Sequence, residues 1–171
     1  MGNRKTQTSP VAVGEAAPPF ELRGTDGRAR SLAEELKKGP VLLAFFKVSC
    51  PTCQFAFPFL DRLYRQFADR GAAFWGVSQD RREHSRDFAT EYNVTFPILI
   101  DDERYEVSDS YGVEYTPTLF LVGRDGRVEL TSDGFSKQDF LEIQKRLARY
   151  LSVAPGELFR PSERVPEFKP G

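Results

Sequence analysis

Val41-Leu42-Leu43-Ala44-Phe45-Phe46 leads through Lys47-Val48-Ser49 into Cys50-Pro51-Thr52-Cys53. Six consecutive apolar residues have the length of a strand, and a strand with no polar alternation suits burial on both faces. Beyond the cysteines the period changes. Phe57, Leu60, Leu63, Tyr64 and Phe67 recur at helical spacing as far as about Arg70. Pro51 fits a first helical turn, where its missing N–H would have no partner. Pro58 should kink the helix, and Gly71 closes it. A buried strand therefore runs into a helix, and both cysteines of the chain sit at the junction.

Working outward, Phe20-Glu21-Leu22 alternates, Thr25-Asp26-Gly27 gives a hairpin signal, and a second short extended piece follows. Ser31 can cap a helix through Leu36, with Glu34 as its capping-box partner, before Gly39-Pro40. Downstream, strands are expected at 72–77, 96–100, 116–122 and 128–130, with Pro97 at the start of its strand because it lacks a donor. Helices are expected at about 82–92, 104–111 and 137–151; the last carries Phe140, Ile143, Leu147 and Leu151 on one face. Arg124-Asp125-Gly126-Arg127 turns one strand back on the next. This order predicts an α/β domain whose central mixed sheet is parallel in the middle, antiparallel at one edge and flanked by helices. The expected layout is a flexible arm at 1–11, one domain at 12–153, and a Pro-rich, charged tail at 154–171 that is extended or disordered.

The chain has 171 residues, 40% of them hydrophobic and 29% charged, the balance of a globular protein long enough to bury a core without staples. The 24 basic and 25 acidic residues leave a net charge of −1, which gives no pull towards nucleic acid or an anionic membrane. No apolar run is long enough for a membrane helix. Met1 to Ala17 lacks the apolar stretch of a signal peptide, which implies a cytoplasmic protein, or an exported one whose leader has been removed. Met1-Gly2-Asn3-Arg4-Lys5-Thr6 formally fits a myristoylation pattern, and Asn93-Val94-Thr95 a glycosylation acceptor. Both patterns are short and degenerate.

Two cysteines and a single histidine fall short of a structural zinc site, so neither metal nor added cofactor is expected beyond a redox-active Cys50–Cys53 disulfide. In thiol–disulfide exchange the thiolate is the nucleophile, and a working cysteine needs a lowered pKa. Cys50 falls where free N–H groups and the positive end of a helix dipole favour an anion. Cys53, one turn on, is placed to attack a mixed disulfide formed at Cys50. A Cys-x-x-Cys near a βαβ pattern reads as a redox motif. Lys47, Pro51 and Thr52 are the candidates for tuning the pair. Lys47 reads equally well as a solvated residue at a strand end.

Together these segments resemble the thioredoxin superfamily, in particular its TlpA/ResA-like, AhpC/TSA-type branch. The matching pieces are Val13-Gly14-Glu15-Ala16-Ala17-Pro18-Pro19-Phe20, the strand with Cys50-Pro51-Thr52-Cys53, Trp75-Gly76-Val77-Ser78, Phe96-Pro97-Ile98, and Tyr111-Gly112-Val113 with Thr116-Pro117-Thr118. The resemblance covers residues 12 to 150. It implies a thioredoxin-like fold with an N-terminal hairpin and an inserted helix and strand near residues 80–100. It also implies a cis Pro117 facing the dithiol, with Thr116 offering backbone to an extended substrate. The implied partners are protein thiols or disulfides and an external reductant; oligomeric state stays open. From the residues alone, Pro117 reads as a trans proline opening a strand, the commoner case, and the cis form is implied by the resemblance only.

Three positions depart from the pattern. Ser49 stands where the branch carries an aromatic. Ala44 and Ala56 stand where thioredoxins and ResA-like proteins, respectively, place an acid near the second thiol. Glu114 is a weak substitute. His84 reads as a surface residue, with proton transfer as its functional alternative. Asp80 to Asp87 reads as a solvated helix face, and Phe55, Phe57 and Phe59 as core, with a docking patch as the alternative. The leading rival function is a peroxiredoxin-like thiol peroxidase. Its Pro-x-x-x-Thr-x-x-Cys pattern is unmet, because Lys47 lies three before Cys50 and Cys50 three before Cys53. A second rival is a non-enzymatic binding protein or metal chaperone using two thiolates on a soft metal.

Overall fold

Val41–Phe46 is the middle strand of a five-stranded sheet in a computed structural model that describes residues 9–171. In chain order the elements are β1 (Glu21–Arg23), β2 (Ala29–Ser31), α1 (Leu32–Leu36), β3 (Val41–Phe46), α2 (Pro51–Phe67), β4 (Ala73–Ser78), α3 (Arg82–Glu91), β5 (Ile98–Ile100), α4 (Glu106–Ser110), β6 (Thr118–Val122), β7 (Val128–Asp133), β8 (Phe135–Ser136), α5 (Lys137–Leu151) and β9 (Phe168–Lys169). The sheet order is β5-β4-β3-β6-β7. β3, β4 and β5 are parallel; β6 and β7 are antiparallel additions. The mixed sheet expected from the alternation is the sheet observed.

The unbroken apolar run of β3 is explained by what covers it. Leu42, Ala44 and Phe46 face a cluster with Phe57, Leu60 and Leu63 of α2 and Phe140 and Ile143 of α5. Val41, Leu43 and Phe45 face a second cluster with Leu32 and Leu36 of α1, Val107 of α4 and Tyr111. Strand residues alternate sides, so covering both faces leaves no place for a polar residue. The β1–β2 hairpin turns at Asp26-Gly27 and joins the β5 edge through Gly24 and Leu99. Ser31 caps α1 by accepting from the Glu34 N–H. α2 runs through Pro58, which is exposed there, and a 3₁₀ turn follows before Gly71 adopts φ 106°.

Two stretches differ from the sequence reading. β7 continues to Asp133, because Val128, Leu130 and Ser132 alternate inward against β6. The expected arm already packs at Val11, which is buried and donates its N–H to the Tyr111 carbonyl at 3.1 Å. The myristoylation pattern lies outside the described residues. Of the two states expected for 154–171, extended or disordered, the segment takes the extended one and packs on the domain as a strap. Leu158 is buried, the Phe159 ring stands 5.2 Å from that of Phe59, and the Arg62 guanidinium grips the Glu163 carboxylate with two bonds of 2.7 and 2.9 Å. A few apolar residues among prolines and charges sufficed because α2 and α5 present an aromatic seam to receive them.

Candidate active site

The chemistry collects at the end of the sheet where β3 stops. Cys50 is the N-cap of α2, with extended backbone, and its Sγ accepts the Cys53 N–H at 3.0 Å. Sulfur thus occupies the place a serine or aspartate oxygen takes in an ordinary helix cap, facing the unpaired N–H groups of the first turn. These groups favour an anion. Hydrogen bonding from the Cys53 side chain, reinforced by the Thr116 side chain and the backbone at Cys53 and Thr52, pulls the Cys50 thiol from 9.0 down to about 6 against the opposing effect of burial. Cys53 is fully buried. Burial, with the neighbouring Cys50 sulfur second, pushes its thiol far above the ordinary range. Both cysteines are free.

The Thr116–Pro117 peptide bond is cis. The Thr116 carbonyl oxygen lies 3.2 Å from Cys50 Sγ, where it can accept the S–H of the neutral thiol. Pro117 is buried, and its own carbonyl accepts the Gly134 N–H at 2.8 Å. Thr52 is half-buried, and its hydroxyl donates to the Pro170 carbonyl at 2.6 Å. Pro51 is exposed at the first turn.

The remaining candidates separate. The Lys47 side chain is exposed, and its carbonyl accepts the Cys50 N–H at 3.2 Å. His84 lies on the exposed side of α3. Glu114 is exposed; after burial, its charge is the next cause raising the Asp133 carboxyl. Ala44 and Ala56 are buried apolar positions in the same core cluster as Cys53. Phe57 is fully buried, whereas Phe55 and Phe59 are half-buried against Phe135.

Asp80, read from the sequence as part of a solvated helix face, and Gln54, which the sequence reading passed over, hold the approach to Cys50; Asp80 lies before α3 and is half-buried. The Asp80 carboxylate accepts the Val48 N–H at 2.8 Å, and the Gln54 side-chain amide donates to the Val48 carbonyl at 2.9 Å. Both backbone groups of Val48 are thereby satisfied in a segment without regular structure. The parallel register pairs Phe46 with Ser78, which places Asp80 beside the β3 exit. That pairing is the signal that could have found it.

A family model described as the AhpC/TSA family matches residues 13–131. The chain belongs to the AhpC/TSA family. The thiol-disulfide oxidoreductase ResA of Geobacillus thermodenitrificans is 33% identical over 136 residues, covering 78% of this chain and 77% of the relative. ResA of Bacillus subtilis is 29% identical over 148 residues, covering 86% and 79%. The thioredoxin domain of a thiol-disulfide oxidoreductase from Bacteroides vulgatus superimposes with a TM-score of 0.71 at 25% identity, covering 80% of this chain and 99% of that one. Peroxidoxin BcpB from Mycobacterium tuberculosis gives 0.69 at 25% identity, covering 84% and 99%. The resemblance drawn from the motifs therefore stands, both in family and in thioredoxin-like fold.

Proposed function

We propose that this family member is a thiol–disulfide oxidoreductase in which Cys50 attacks and Cys53 resolves, with protein thiols and disulfides as substrates. The observation that carries the assignment of roles is the placement of Cys50 Sγ as the cap of α2, 3.0 Å from the Cys53 N–H, while Cys53 is buried one turn deeper. The Cys50 thiolate attacks a substrate disulfide, forming the Cys50–substrate bond and releasing the first substrate sulfur as a thiolate. The Cys53 thiol then gives up its proton and attacks Cys50. The Cys50–Cys53 disulfide forms and the second substrate sulfur leaves. Two electrons and the Cys53 proton pass to the substrate, the second substrate thiolate takes its proton from solvent, and an external dithiol must restore the pair. With alanine at 44 and 56, the thiolate released in the first step is the base at hand for the Cys53 proton. Thr116 and Pro117 position an extended substrate beside Cys50. Thr52, Pro51 and the Lys47 backbone shape the first turn that holds the anion.

No described helix is long and apolar enough to cross a membrane. Among the described residues no cluster of His, Cys, Asp and Glu is suited to hold a metal ion. The family and the peroxidoxin structure keep a thiol peroxidase as the second reading. Insulin reduction and peroxide consumption, run on the same preparation, separate the two. We expect insulin reduction to dominate. Fast peroxide turnover without disulfide reduction overturns the assignment.

A further inference from the structure

Residues 167–171 lie across the same end of the sheet as the dithiol. The Glu167 carbonyl accepts the Lys137 N–H at 2.9 Å, and β9 then pairs antiparallel with β8, Lys169 opposite Phe135. The Lys169 ammonium stands 5.0 Å from the centre of the Phe55 ring. The Pro170 carbonyl accepts from Thr52, inside the Cys50-Pro51-Thr52-Cys53 motif. Gly171 reaches the backbone before Pro117 so closely that a Cβ there would lie 2.6 Å from the Thr116 carbonyl oxygen. That oxygen is also the neighbour of Cys50 Sγ. An extended stretch of the chain thus follows the track along β8, Gly134 and Thr116 that a peptide substrate would use by strand addition.

We infer that residues 167–171 are a self-bound strap filling the peptide track beside Cys50, and that a disulfide-bearing polypeptide binds only after displacing it. The inference rests on the exchange chemistry proposed above. The strap is fastened upstream of the track, by the Arg62–Glu163 pair and by Phe159 in the aromatic seam, so its far end can lift while its root stays seated. A tethered segment competes at a high effective concentration, and the apparent affinity for substrate falls by the fraction of molecules that are open. Small reagents need only reach Cys50, which is not fully covered. Strap closure therefore discriminates by size: it taxes polypeptide substrates and spares small ones.

Two variants loosen the strap without touching the dithiol: Glu163→Ala at its root and Lys169→Glu over Phe55. With insulin as substrate, each should lower KM by about three- to tenfold at unchanged kcat, with unchanged iodoacetamide alkylation of Cys50. As a second readout, a single-cysteine peptide activated with thionitrobenzoate is trapped on the Cys53→Ser protein. Hydrogen exchange at the Lys137 amide should then speed up, because its acceptor is the Glu167 carbonyl. Unaltered KM in both variants, or an adduct that forms with Lys137 still protected, overturns the strap and leaves the exchange chemistry standing. Absence of both insulin reduction and adduct brings down the two readings together.

Discussion

The mouth of α2 and its first buried turn are three residues apart and treat the same functional group in opposite ways. At the mouth, Cys50 is a helix cap that is half open to solvent, and hydrogen bonds to its sulfur hold its pKa at about 6. One turn inside, Cys53 has no exposed surface, and burial keeps it protonated. The two shifts are linked: the Cys53 side chain is the largest cause of the fall at Cys50, and the Cys50 sulfur is among the causes of the rise at Cys53. A single turn of helix thus gives identical side chains two environments, one sulfur half open with a lowered pKa and one withheld from solvent. In the proposed exchange, the order of the two steps rests on that inequality.

Removing the attacking sulfur tests the comparison most severely. Cys50→Ser should lower insulin reduction by on the order of 10³-fold or more, because the remaining thiol is neither exposed nor ionised. Cys53→Ser should also stop turnover but preserve the first step. Intact-mass measurement should show one substrate equivalent held on Cys50. Accumulation of the adduct on Cys50→Ser instead would reverse the two roles.

Titration gives the next largest effect. Alkylation of the reduced protein by iodoacetamide should follow a midpoint near pH 6, against 9.0 for an ordinary cysteine. At pH 7 the thiolate fraction rises about 90-fold for such a shift, but the lower basicity cuts nucleophilicity roughly 20-fold, so the net rate gain is only several-fold. The midpoint is therefore the sharper measurement. Cys53→Ala should move it upward by removing the largest stabilising contact. The sign for stability follows from the depressed value. The thiolate stabilises the folded reduced protein fully above the unfolded pKa of about 9, and this contribution is lost as pH falls through about 6. The stability gap between the reduced protein and Cys50→Ser, measured by chemical denaturation, should therefore widen from pH 6 to pH 9. A constant gap would mean that the helix mouth does not hold an anion.

The fold and the dithiol were legible because their signals are local. An apolar run, a change of period and a proline after the first cysteine lie within one stretch of chain. The Thr116–Pro117 segment was legible as a motif, but its closeness to Cys50, 66 residues away in sequence, depends on β6 pairing with β3. The packing of the strap was not legible for a related reason. Its residues are polar and Pro-rich, and they gain order only from partners on α2, β8 and α5 that no sequence window contains. Phe55 and Phe59 fit neither alternative cleanly, since their half-buried faces are where Lys169 and Phe159 rest.

Asp80 offers the smallest effect and the finest test. Its carboxylate does not touch either sulfur in any hydrogen bond among the described residues; it holds the Val48 N–H, two residues before Cys50. Asp80→Ala would leave that N–H without its acceptor, at a cost of about 1–3 kcal/mol. It would also loosen the segment that fixes the extended backbone of Cys50. Exchange should slow by about three- to tenfold through misplacement alone. Asp80→Asn retains an acceptor oxygen and should recover most of both losses, with the Cys50 alkylation midpoint unchanged in each variant. A midpoint that moves in Asp80→Asn would instead assign Asp80 an electrostatic part in setting the thiolate, and the contrast between the two cysteines would then depend on a third charge as well as on the helix mouth.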